Sequence, residues 1–197
     1  MTNTTTPTNF SDLGLISPLM ARLTELEYQQ PTPIQAQVIP SVLAGRDLIA
    51  GANTGSGKTA AFALPLLQQI HEDAPLDRRS GKGNYVSGLI LVPTRELAKQ
   101  VADSVKSYAV HFNGAIKTVC VFGGVSVNTQ MQALRGGTDI LVATPGRLLD
   151  LISSNAIKLD KAKTLVLDEA DRMLSLGFTE ELDAILKLLP SKKQTLL

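Results

Sequence analysis

The sequence has one cysteine, Cys120, in 197 residues. That excludes an internal disulfide framework and any multi-cysteine metal site. Tryptophan is absent and aromatics reach only 4%. A core must therefore come from Ala, Val, Ile and Leu, which suits helices and buried parallel strands. No apolar run attains the ~18 residues that cross a bilayer. The opening, MTNTTTPTNF, lacks the basic start and apolar stretch of a secretory leader. A cytoplasmic protein is the default expectation. Neither sign of charge dominates, because 19 Lys and Arg against 18 Asp and Glu leave a net +1. A bulk electrostatic grip on nucleic acid is thus excluded, and any such site must be local. What remains is 44% hydrophobic and 19% charged, the balance of one globular domain at ~100–200 residues per domain.

Residues 1–9 are Thr/Asn-rich, uncharged and aperiodic, and read as a disordered tail. Ser17-Pro18 and Thr32-Pro33 pair a cap with a proline at the first helical position and open two helices. Leu19, Leu23 and Leu26 stripe the first, and Pro40 is expected to bend or break the second. The chain then alternates. Strands are read at Asp47–Ala50, Leu89–Val92, Lys117–Phe122, Ile140–Ala143, Thr164–Leu167 and Gln194–Leu197. Helices are read from Lys58 to Ile70, Thr94–Val110, Ser126–Leu134, after Thr144-Pro145, near Glu169–Leu174 and at Thr179–Leu188. Non-alternating apolar strands between amphipathic helices predict an α/β fold: a mostly parallel sheet with helices on both faces. The charged stretch Glu72–Asn84 reads as a mobile surface loop. Leu197 falls inside an apolar strand, so we expect a longer parent chain.

Two motifs carry chemistry. Ala52-Asn53-Thr54-Gly55-Ser56-Gly57-Lys58-Thr59 lies between a strand and a helix. Gly55 and Gly57 permit a tight turn that aims backbone N–H groups at phosphates, and the helix start adds its dipole. Ala52 replaces the first glycine of the strict phosphate-loop pattern without altering that physics. Lys58 is expected on the β/γ-phosphates and the Thr59 hydroxyl on Mg²⁺. The strand Thr164–Leu167 runs into Asp168-Glu169-Ala170-Asp171. Asp168 would hold Mg²⁺ through water, and Glu169 could orient an attacking water.

Phosphate loop and DEAD tetrad together resemble the first RecA-like domain of the DEAD-box ATP-dependent RNA helicases. The resemblance runs from Phe10 to Leu197, with a Q-motif region at 10–37. It is carried by Tyr28-Gln-Gln-Pro31-Thr32-Pro33-Ile34-Gln35, ANTGSGKT, Pro93-Thr94-Arg95-Glu96-Leu97, Gly123-Gly124, Thr144-Pro145-Gly146-Arg147 and DEAD, in that order. VFGGVSVN and VLDEADRMLSLGF look most like the bacterial RhlE-type subgroup. The family implies that Gln35 reads adenine with its amide and that Tyr28 stacks on the base. Glu27 stands where that motif has glycine.

The resemblance further implies RNA contacts from Pro93, Thr94, Arg95, Gly123, Gly124, Thr144, Pro145, Gly146 and Arg147. Helix-start amides and a few arginines would read sugar–phosphate shape, which reconciles RNA binding with a near-neutral chain. ATP and Mg²⁺ are the implied cofactors, RNA and a second RecA-like domain of the same monomeric protein the implied partners. A different phosphate-loop ATPase and a non-catalytic RNA- or protein-binding module are the other classes. Cys120, Met173 and Leu174 read as core residues. Neither His71 nor His111 shows ligand spacing. Arg78, Arg79 and Lys82 read as a solvated charge run.

Overall fold

In the computed structural model, residues 9–51, 55–77, 83–112 and 116–197 are described. A 3-10 turn at Phe10–Leu13 precedes α1 (Ser17–Glu25) and α2 (Pro33–Leu43). There follow α3 (Lys58–Asp77), β1 (Val86–Leu91), α4 (Arg95–Tyr108), β2 (Thr118–Val121), α5 (Val127–Ala133) and β3 (Thr138–Ala143). The chain continues through α6 (Pro145–Ser153), β4 (Thr164–Leu167), α7 (Ala170–Ser175), α8 (Thr179–Leu188) and β5 (Gln194–Leu196). The five strands are parallel, in the order β2-β3-β1-β4-β5.

Burial on both faces explains why the strands do not alternate. Ile90, Val92, Ile140, Val142 and Val166 meet a layer built by α1 to α4, with Leu19, Leu23, Ile39, Leu64 and Val101 at its centre. Leu89, Leu91, Leu141 and Leu165 meet the opposite layer, where Leu148, Leu151, Met173 and Ile185 lie. The run Asp47–Ala50 extends the sheet past β5 as a partly formed strand. Leu48 N–H donates to Thr195 C=O at 3.1 Å, and Ala50 N–H to Leu197 C=O at 2.7 Å.

Several expectations are corrected. Pro40 lies inside α2 without ending it. Its missing N–H and ring clash cost ~3 kcal/mol. Val38, Ile39 and Val42 are buried on the same helix, and each such side chain contributes about 1.5–3 kcal/mol, so packing wins. Helix α3 runs on to Asp77 and takes the first part of the stretch read as a loop. Lys163 Nζ donates to Asp73 there at 3.1 Å. Met173 is fully buried, but Leu174 is 54% exposed, because a six-residue helix turns only one face to the core. Cys120 is half-buried, and burial pushes its thiol up to about 11. Residues 1–8, with most of the tail, and Arg78, Arg79 and Lys82 lie outside the described residues. Among the described residues no helix is long and apolar enough to cross a membrane.

Candidate nucleotide site and nucleic-acid interface

Strand register builds the site. Leu91 pairs with both Ala143 and Leu167, and Val121 pairs with Ala143, so β1 to β4 end level. The chain leaves that edge bonded across strands: Val92 N–H to Ala143 C=O, Thr144 N–H to Val121 C=O, and Asp168 N–H to Leu91 C=O. Along the edge, sheet order therefore reads 123–124, 144–147, 93–95 and 168–171, with the turn that follows Ala50 at the far end. Carboxyl edges of parallel sheets are where α/β proteins bind ligands.

Asp168 lies on that edge within electrostatic reach of Lys58. Burial pushes the Asp168 carboxyl above the ordinary carboxylate range; the nearby Lys58 ammonium opposes this, and the Glu169 charge adds to it. Glu169 follows with φ 55°, a left-handed backbone for a non-glycine residue. Such strain clusters at functional positions. Its carboxylate accepts from Arg172 Nη1 at 3.0 Å. Thr59 lies half-buried in the first turn of α3. Ala52, Asn53 and Thr54 lie outside the described residues.

Gln35 ties the Q-motif segment to the glycine turn. It is buried, its Oε1 accepts from Thr32 N–H at 2.9 Å, and its Nε2 donates to Gly57 C=O at 3.2 Å. Gly57 has φ 89°, and a Cβ there would run into the Gln35 amide. Next to this packing, Ser56 Oγ is buried with no hydrogen-bond partner among the described residues. An orphaned polar atom beside a glycine turn and a lysine suits a polyanion. Tyr28 is 38% exposed, with the ring centroid of buried Phe10 at 6.2 Å.

At the other end of the edge, the Thr94 hydroxyl caps α4 by accepting from Leu97 N–H at 3.2 Å. Thr144 occupies the cap position of α6, and Pro145 its first turn. The half-exposed Arg95 lies over Gly124, whose φ is 80°; a Cβ there would be 3.8 Å from Arg95 Nη1. Arg147 is placed otherwise than its motif suggests. It is only 8% exposed; its Nη1 and Nη2 both donate to Val125 C=O at 3.1 Å, and Nη1 also donates to Gln130 Oε1 at 2.9 Å. Gln130 Nε2 in turn donates to Phe122 C=O at 3.0 Å. The carbonyls flanking Gly123-Gly124 are thus clamped from both sides.

The DEAD/DEAH box helicase family profile matches residues 32–197. This chain belongs to the DEAD/DEAH box helicase family. It is 45% identical to the ATP-dependent RNA helicase DeaD of Escherichia coli K12 over 190 residues, covering 96% of this chain and 29% of that protein. The ATP-dependent RNA helicase CshA of Listeria monocytogenes is 42% identical over 96% of this chain and 34% of its own length. The RNA helicase CrhR of Synechocystis is 43% identical over 99% of this chain and 37% of its own. The chain spans roughly a third of the length of these curated relatives.

The α/β, RecA-like sheet of a DEAD-box domain is therefore the frame on which these motifs stand. The segments at 93–95, 123–124, 144–147 and 168–171 gather on one edge of it. Sequence reasoning missed Gln130 and Tyr108, because a glutamine in a helix and a tyrosine at a helix end carry no local signature of the distant groups they hold. Among the described residues no three His, Cys, Asp or Glu side chains converge on a point.

Proposed function

We propose that this chain is the ATP-, Mg²⁺- and RNA-binding domain of an ATP-dependent RNA helicase, with residues 10–197 as its first RecA-like domain. The observation that carries the reading is that Asp168, within electrostatic reach of Lys58, leaves the same sheet edge as the three RNA-type segments. The relatives named as RNA helicases support it. The residues fit the ligand: an orphaned Ser56 hydroxyl, a glycine turn with no room for a side chain at Gly57, and a lysine beside a carboxylate.

Bound Mg-ATP would supply a transferable phosphoryl group and the neutralising dication. The chain's own groups then have distinct tasks. Backbone amides of 52–57 cradle phosphates, and Lys58 binds the β/γ end. Thr59 and, through water, Asp168 hold the cation, since Mg²⁺ keeps much of its hydration. Glu169 orients the attacking water. Tyr28 stacks on adenine. Gln35 has one lone pair and one N–H left for the base.

On the RNA side, Pro93 to Arg95, Gly123-Gly124 and Thr144 to Arg147 contact the sugar–phosphate backbone. Arg147 serves that contact by holding the Val125 carbonyl. A second RecA-like domain of the same protein would bring an arginine, worth ~10³–10⁵ in rate. A cytoplasmic, monomeric protein and the RhlE-type subgroup complete the reading.

Lys58→Ala and Asp168→Ala test it. Each is expected to abolish Mg-ATP binding in a calorimetric titration while thermal unfolding stays cooperative. Parent-like affinity in either would show that the site is elsewhere.

A further inference from the structure

Tyr28 and Tyr108 stand 80 residues apart in sequence, and their hydroxyls share a hydrogen bond of 3.2 Å. The rings meet edge-on, with centroids 6.5 Å apart and planes at 72°. Tyr108 is the last residue of α4 and is only 6% exposed. Tyr28 is more open, and it belongs to no helix or strand: it directly follows Glu27, which has φ 58°. The bond from Tyr28 N–H to Leu23 C=O at 2.9 Å fixes its backbone but leaves its ring free to turn. Phe10 on one side and Tyr108 on the other hold the ring instead.

The anchor itself is firm. Arg22 of α1 donates from Nε to Ser107 C=O at 2.8 Å and from Nη2 to Ser107 Oγ at 2.9 Å, one residue before Tyr108. His111 and Glu25 add a contact of 2.8 Å between the same two regions. Burial first, and then the Tyr28 hydroxyl, hold the Tyr108 phenol protonated far above its ordinary range, so the hydroxyl remains available to the bond.

We propose that Tyr108 is a positioning residue for adenine binding, its hydroxyl fixing the Tyr28 ring in the orientation on which the base stacks. The inference rests on the reading of Tyr28 as the stacking residue. Tyr108 acts through Tyr28 and touches no base itself. Because α4 begins at Arg95 and ends at Tyr108, one helix joins the nucleic-acid segment to the adenine segment.

Tyr108→Phe keeps the ring and its packing and removes only the hydroxyl. Calorimetric titrations of Mg-ADP and of Mg-tripolyphosphate, which has no base, separate stacking from phosphate binding. We expect Tyr108→Phe to weaken ADP roughly three- to tenfold, the worth of one neutral hydrogen bond, and to leave tripolyphosphate unchanged. Tyr28→Phe removes the same bond from the exposed side and should match it. The double variant should lose no more than either single one. An unchanged ADP affinity in Tyr108→Phe, equal losses for both ligands, or additive losses in the double variant would each overturn the proposal. Tyr28→Ala stands apart as a control: should it bind ADP as the parent does, the stacking reading of Tyr28 fails on its own, independently of Tyr108.

Discussion

At Glu27 the chain turns with φ 58°, the conformation for which the related motif keeps a glycine. The substitution has left the turn in place, and its strain is borne by the backbone. A left-handed L-residue costs roughly 1–2 kcal/mol, while glycine's extra unfolded-state freedom costs roughly 0.5–1. Glu27 is exposed and has no packing to lose. Glu27→Gly is therefore expected to stabilise the chain by up to about 1 kcal/mol, a rise of roughly 2–4 °C in Tm for a domain of this size. A lower melting temperature by calorimetry would refute this account of the turn. Glu169 has nearly the same φ, and it stands between Asp168 and the start of α7. Residue identity was thus legible where a motif fixes the backbone. Burial was not: the motif gives Arg147 as an RNA contact, and only the partners Val125 and Gln130, some twenty positions upstream, show that its guanidinium is enclosed.

Between elements, the clamp formed by α5 and α6 deserves the same treatment. Gln130 satisfies both Phe122 C=O and an Arg147 N–H, while Arg147 Nε faces the Asp150 carboxylate at 3.5 Å. Truncating Gln130 would strand two buried groups. Gln130→Ala should cost about 1–3 kcal/mol, read as a drop in Tm in thermal unfolding. It should also loosen the turn at Gly123-Gly124, read as faster amide hydrogen exchange there. Unaltered Tm and exchange would mean that the clamp is incidental. Helices and strands themselves were largely legible, since Thr164–Leu167 and Thr179–Leu188 fall where apolar pattern and caps put them. The failures share one cause. Proline at 40 and the charged tail of α3 are local stop signals, and contacts remote in sequence overrule them.

For the whole molecule, the order β2-β3-β1-β4-β5 would, on the proposed reading, separate two ligands along one edge. The segments proposed for nucleic acid follow β2, β3 and β1, those proposed for nucleotide lie from β4 onward, and the two sets adjoin between β1 and β4. Motif spacing showed that these segments share an edge; it could not give their order, which depends on pairings among strands far apart in the chain. On the proposed reading, this chain should bind without working. We expect the 197-residue chain to bind adenine nucleotide, to hydrolyse ATP very slowly, and to separate no duplex in a strand-displacement assay. Robust displacement by this chain alone would contradict that. The level strand ends have a practical corollary at the opposite rim. Connections there, at 116–118, 136–138 and 158–163, are stitched to the sheet: Lys117 N–H donates to Asp139 Oδ2, Gly136 N–H to Asn84 Oδ1, Thr138 N–H to Tyr85 C=O and Lys163 N–H to Ser87 C=O. Those bends are poor places to splice in a fluorophore tag or extra residues, because an insertion there would pull on the same pairings that keep the working rim level.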